Sequence, residues 1–137
     1  MRRPTPRVSW PGGAVLLLAV AAAAPGCALQ RQGDHTVTMT DRQFAPAELR
    51  VTPGSQVAWH NASTAVHALT TDPAGAPAPN AAALPVGATP LRSGDVAPGG
   101  IWSRTLTVPG RYAYYCPYHR EAGMIGTIVV AAGENEE

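Results

Sequence analysis

A chain of 137 residues suffices for one domain and falls short of two ordinary ones. Its 14 Gly and 14 Pro favour a loop-rich β fold over a helical bundle. All ten basic residues are Arg, set against nine acids, and this near-neutral balance gives no electrostatic case for binding nucleic acid.

The chain opens with "MRRPTPR", which carries Arg2, Arg3 and Arg7, and continues into an apolar run of eleven residues from Ala14 to Ala24. Such a run is too short to span a bilayer comfortably and suits the core of a secretory signal. "APGC" follows and resembles the lipobox of bacterial lipoproteins, in which the cysteine, here Cys27, is lipidated and becomes the new N-terminus. The alternative is an ordinary cleaved signal with a spare thiol. Arg2-Arg3 also raises the twin-arginine route, although the residues after it fit that signal poorly. The organisation expected is a signal over 1–27, a polar tether over 28–35, one domain over 36–131 and an acidic tail over 132–137. A chain starting at Cys27 keeps seven Arg against nine acids, a formal charge of −2. Its expected location is periplasmic or at the cell surface, held to the membrane by lipid. In that oxidising setting a lone Cys116 is an oxidation liability unless something occupies it.

From Thr36 onward, short β-like runs alternate with turn signals. "TVTMT" (Thr36 to Thr40) comes first. "ELRVTPGSQVAWHN" reads as two strands about the Pro53-Gly54 turn, with Val57 and Trp59 on one face and Ala58 and His60 on the other. "VHALT" (Val66 to Thr70) reads as another strand. "DPAGAPAPNAAALPVGATP" (Asp72 to Pro90) lacks strand alternation and reads as a long surface loop. "IWSRTLTV" sets Ile101, Ser103 and Thr105 against Trp102, Arg104 and Leu106; Pro109-Gly110 then turns into "RYAYYC", and "MIGTIVV" closes the series. About seven short strands without a convincing helix imply an all-β, antiparallel Greek-key sandwich.

The chemistry concentrates in "YYCPYHREAGM", where Cys116, His119 and Met124 fall within nine residues. Thiolate, imidazole and thioether together suit copper, and two His, one Cys and a weak axial Met form the blue-copper set. A second histidine must come from His35, His60 or His67. His35 lies in the tether, and strand parity turns His60 away from the Trp59 face. Zinc is the other metal that Cys and two His would bind, but Met is a poor zinc ligand and no general base accompanies it. Glu121 is a harder competitor for the axial position, and the spacing favours Met124. The bland alternative is an Ig-like binding module in which Cys116 is buried and the histidines are incidental.

Over about Thr36 to Val130 the sequence resembles the cupredoxins, most closely the plastocyanin and pseudoazurin group. "FAPAELRVTPGSQVAWHN" resembles that family's second and third strands, with a Pro-Gly turn followed by Trp-x-Asn. In the family the first copper histidine lies six residues after this Asn, which corresponds here to His67. "CPYHREAGM" has the family's Cys-x2-His-x4-Met spacing. The resemblance implies one type 1 copper held by His67, Cys116, His119 and Met124. It further implies a monomeric one-electron carrier rather than an enzyme, exchanging electrons with a transient redox protein such as a cytochrome or copper enzyme. Electrons would pass at His119, within an apolar rim of Pro117, Tyr118, Met124 and Ile125. Copper storage or delivery, or docking to a membrane oxidase, are the other uses of such a domain. Pro117 directly after Cys116 leaves Tyr118 with an N–H that, with that of Ala68, is expected to reach the Cys116 sulfur.

Overall fold

The computed structural model describes residues 35–133. The signal, Cys27, most of the tether and residues 134–137 lie outside the described residues. Seven strands form: β1 (Thr36–Met39), β2 (Phe44–Ala45), β3 (Glu48–Val51), β4 (Ser55–Asn61), β5 (Ile101–Leu106), β6 (Gly110–Tyr115) and β7 (Ile125–Val130). The only helical pieces among the described residues are two 3-10 turns, Pro73–Gly75 and Arg120–Ala122. No helix of the described residues is long and apolar enough to cross a membrane.

The strands make two sheets, ordered β2-β1-β4-β5 and β3-β7-β6. The sandwich expected from the alternation is present, but it is not purely antiparallel. β1 runs parallel to β4 and β3 runs parallel to β7. The chain itself explains this. After β1 it turns back through β2, crosses to the second sheet at β3, and returns at the Pro53-Gly54 turn to lay β4 beside β1. A parallel pair needs such a long crossover, which no local alternation reveals. The stretch from Val66 to Thr70 is also not a continuous strand. It makes isolated bridges, His67 to Val96 and Thr70 to both Arg92 and Tyr115. Its backbone groups are divided among Val96, Ser93 Oγ and Tyr115, so no single partner strand builds a ladder along it.

Period-two alternation sets the core. On β4, Ser55, Val57, Trp59 and Asn61 are buried while Gln56 is exposed and Ala58 and His60 are half-buried. Trp59 meets Tyr114 edge-on at 5.6 Å between ring centroids, and Phe44 meets Tyr114 edge-on at 4.8 Å. These are the edge-to-face arrangements that aromatic quadrupoles favour. Directly opposite Tyr114 on β7 stands Gly126. A Cβ added there would lie 2.5 Å from both Cζ and Oη of Tyr114, so the missing side chain is the space the tyrosine ring fills.

On β6, Tyr112 to Tyr115 are all buried, and alternation fails. The free edge of this strand is covered. Ala83 exchanges two hydrogen bonds with Ala113 at 3.0 and 3.1 Å, and Thr70 exchanges two with Tyr115 at 3.1 Å. Leu84 and Ala88 pack against the core from the same 72–90 segment, and Ala81 is buried. A charge-poor, apolar segment thus blocks an edge that would otherwise be open to pairing with another chain.

Candidate metal centre

The Thr70–Tyr115 bridge explains how two distant stretches meet. It places His67, three residues before Thr70, beside Cys116, which follows Tyr115 directly. Val96 clamps His67 from the other side through N–H···O bonds of 3.2 and 2.7 Å. One donor atom from each of His67, Cys116 and His119 lies within 4.8 Å of the others. Cys116 Sγ is 3.7 Å from His67 Nδ1 and 3.4 Å from His119 Nδ1. The two imidazoles stack at 4.7 Å between centroids.

The loop from Cys116 to Met124 is closed upon itself. The Cys116 amide donates to Met124 O at 3.0 Å and the His119 amide to Cys116 O at 3.2 Å. The loop ends at Gly123, whose φ of 68° is the left-handed conformation that glycine adopts without steric cost. Three side chains then fasten the loop to its surroundings. Arg120 Nε donates to Pro117 O at 3.1 Å and its Nη1 to Gly75 O at 3.4 Å. Tyr115 Oη donates to Asp72 O at 2.8 Å. The Tyr118 hydroxyl donates to Asp95, a bond that holds the phenol above its usual pKa.

Cys116, His67 and Met124 are fully buried, and His119 is half-buried. Burial, with the neighbouring His119 second, holds the His67 imidazole below the ordinary histidine range. A neutral ring keeps a lone pair available for a metal. The donor set is one soft sulfur and two imidazole nitrogens converging on one point, with the Met124 backbone bonded to Cys116 and His119; this chemistry fits copper.

Among the described residues, His35, His60 and Glu121 do not join the cluster. His60 sits on the outward side of β4, and Glu121 is exposed on the second 3-10 turn. Two expectations need correction. Met124 has no exposed surface and cannot belong to an apolar rim; of that rim Tyr118 and Ile125 are exposed and Pro117 is half-buried, with Ile125 lining a separate groove beside Gln43 to Ala47. Neither the Tyr118 nor the Ala68 amide hydrogen-bonds the Cys116 sulfur, whose partners are the two imidazoles. Tyr118 is a central residue of the turn closed from His119 N to Cys116 O.

Sequence reasoning missed Ser63. Its hydroxyl lies 2.9 Å from His67 Nε2, on the side of the ring opposite the cluster. The local signal was an Asx turn, in which the Ser63 amide donates to Asn61 Oδ1 at 3.0 Å. Arg120 and Asp95 carried no such signal, since Gly75 and Tyr118, the partners through which they fasten the loop to its surroundings, are remote from them in sequence.

A two-sheet Greek-key sandwich with a buried Cys/His cluster beneath one partly open histidine defines a cupredoxin. The profile of the copper-binding proteins of the plastocyanin/azurin family matches residues 32–131, and the chain belongs to that family. It is 31% identical to the chloroplastic plastocyanin of Chlamydomonas reinhardtii over 121 residues, covering 87% of this chain and 77% of that one. Against the plastocyanin of Prochlorothrix hollandica it is 57% identical over 35 residues, 26% of this chain, and spans only 27% of that relative's length. Among solved structures, a reduced amicyanin variant superposes with a TM-score of 0.56 at 26% identity, over 72% of this chain and 83% of that one.

Proposed function

We propose that the protein is a blue copper electron carrier, and not an enzyme, with His67, Cys116, His119 and Met124 as its metal ligands. The observation that carries this reading is the convergence of Cys116 Sγ with two imidazole Nδ1 atoms at 3.4 and 3.7 Å. A copper ion held there supplies reversible one-electron chemistry between Cu(II) and Cu(I). The residues do the rest. Burial of Cys116, His67 and Met124 excludes water from the donors. The closed loop and its Arg120, Tyr115 and Tyr118 fastenings hold the donors in place, so that neither oxidation state requires rearrangement. His119 is the donor nearest solvent and therefore the point of electron exchange. The surface beside it, a groove lined by Arg42, Pro117, Tyr118, His119 and Arg120 to Ala122, meets a transient redox protein through a small interface.

Reversible voltammetry of the copper-loaded protein tests the carrier reading against storage or delivery. A carrier gives a fast, reversible one-electron couple. Slow, irreversible exchange with copper loss on reduction would replace the carrier with a store.

The N-terminal reading completes the proposal. The domain acts outside the cytoplasm, in the periplasm or at the cell surface, and Cys27 carries the lipid that holds it to the membrane. A diacyl group anchors stably where a single chain would bind only marginally. Protein purified from its native membrane is expected to show an intact mass that starts at Cys27 and includes lipid. A lipid-free mass with a different first residue would exclude the anchor.

A further inference from the structure

We infer that Ser63, oriented by Asn61, is a positioning residue for His67: its hydroxyl fixes the rotation of the ring and keeps the ring proton on Nε2, so that Nδ1 faces Cys116 as a bare donor. The use of that donor rests on the copper reading; the positioning itself does not.

The hydrogen-bond directions can be followed outward from the backbone. Asn61 is fully buried, and its Nδ2 lies 2.7 Å from Ala65 O and 2.9 Å from Val96 O. Both of those atoms only accept. The amide nitrogen must therefore face them, and Oδ1 must face Ser63, where it takes the Ser63 amide at 3.0 Å. The Ser63 hydroxyl has one proton and lies 2.8 Å from Asn61 Oδ1 and 3.1 Å from Ala65 O. Each of these oxygens already accepts one N–H, and Oδ1 is the nearer to the hydroxyl, so the hydroxyl proton goes to Oδ1. The Ser63 oxygen then has two lone pairs left. One takes the Ala65 amide at 3.1 Å, and the other faces His67 Nε2 at 2.9 Å. Only a protonated Nε2 completes this set.

The opposite tautomer would turn the Ser63 proton to Nε2. It would leave Oδ1 and Oγ as two acceptors 2.8 Å apart in a buried site. It would also put an N–H on Nδ1, the atom 3.7 Å from the Cys116 sulfur. A metal ligand's other ring nitrogen commonly donates to a carboxylate, carbonyl or water. A serine hydroxyl can accept here only because Asn61 takes its proton. Asn61 and Ser63 thus act as one unit, and the Val96 carbonyl ties that unit to the same residue whose backbone clamps His67.

The test is nitrogen-15 NMR of the full chain near neutral pH, metal-free and loaded with Cu(I). Metal-free wild type is expected to show His67 as a single Nε2–H tautomer with slow solvent exchange. In Ser63→Ala the exchange should quicken at least about tenfold and copper affinity should fall by about 10–100-fold, the usual range for losing such a partner. Ser63→Thr, which keeps the hydroxyl, should restore both. An Nδ1–H tautomer in the metal-free wild type would overturn the inference without recourse to any variant. So would a folded Ser63→Ala that retains wild-type exchange. A wild type that binds no Cu(I) yet shows the protected Nε2–H would uphold the positioning and sink the copper reading.

Discussion

Replacing Cys116 with serine is expected to abolish the visible colour of the oxidised, copper-loaded protein while leaving the sandwich folded. Intense blue or green absorption requires charge transfer from a thiolate, and Cys116 is the one sulfur whose Sγ stands among the imidazole nitrogens. Serine offers an oxygen that is a harder and poorer partner for copper in either oxidation state. The fold should survive because the change replaces one sulfur by an oxygen of smaller size just past the end of β6, next to two polar imidazoles, and leaves the Trp59, Phe44 and Tyr114 packing untouched. An absorption spectrum alongside a denaturant titration separates the two effects. His60→Ala is the control; with its ring on the outward side of β4, its loss should leave the colour unchanged. A wild-type Cu(II) complex without colour would end the blue-copper reading.

The largest effect expected from the smallest change is at Gly126. Adding one methyl group there places it 2.5 Å from the Tyr114 ring, well inside van der Waals contact. Tyr114 cannot swing aside, because Phe44 and Trp59 pack edge-on against it and its surface is fully buried. Overpacking of this kind costs about 1–3 kcal/mol. Gly126→Ala should therefore lower the urea midpoint with the slope unchanged. In a Tyr114→Leu background the same substitution should cost much less, since the ring it strikes is gone. Equal losses in the two backgrounds would show that the ring is not the obstacle.

Much of the centre was legible because its residues are rare and closely spaced. Cys116, His119 and Met124 lie on one loop, and loop spacing survives folding. Strand parity separated His60 from the Trp59 face, and that alternation holds in β4. What sequence could not convey is how segments distant along the chain divide their hydrogen bonds. The parallel β1–β4 and β3–β7 pairs depend on where the chain crosses between sheets. The stretch around His67 has the composition of a strand, yet it serves Val96, Ser93 and Tyr115 in turn. The burial of Met124 follows from the closure of a loop, which residue types alone do not determine.

The strands that hold the centre at one end release the chain at the other. β7 begins at Ile125, next to Met124, and five residues later ends at Val130, about 17 Å away for an extended strand. There Ala131 to Gly133 line one groove together with His35, Arg50, Val51 and Thr52. The described chain thus enters and leaves at the same pole, and His119 lies at the opposite one. A domain held by either end, whether to a bilayer, a second protein fused to it or an electrode, turns its electron-exchanging face outward. Attachment at either end would leave the surface around His119 uncovered for a redox partner.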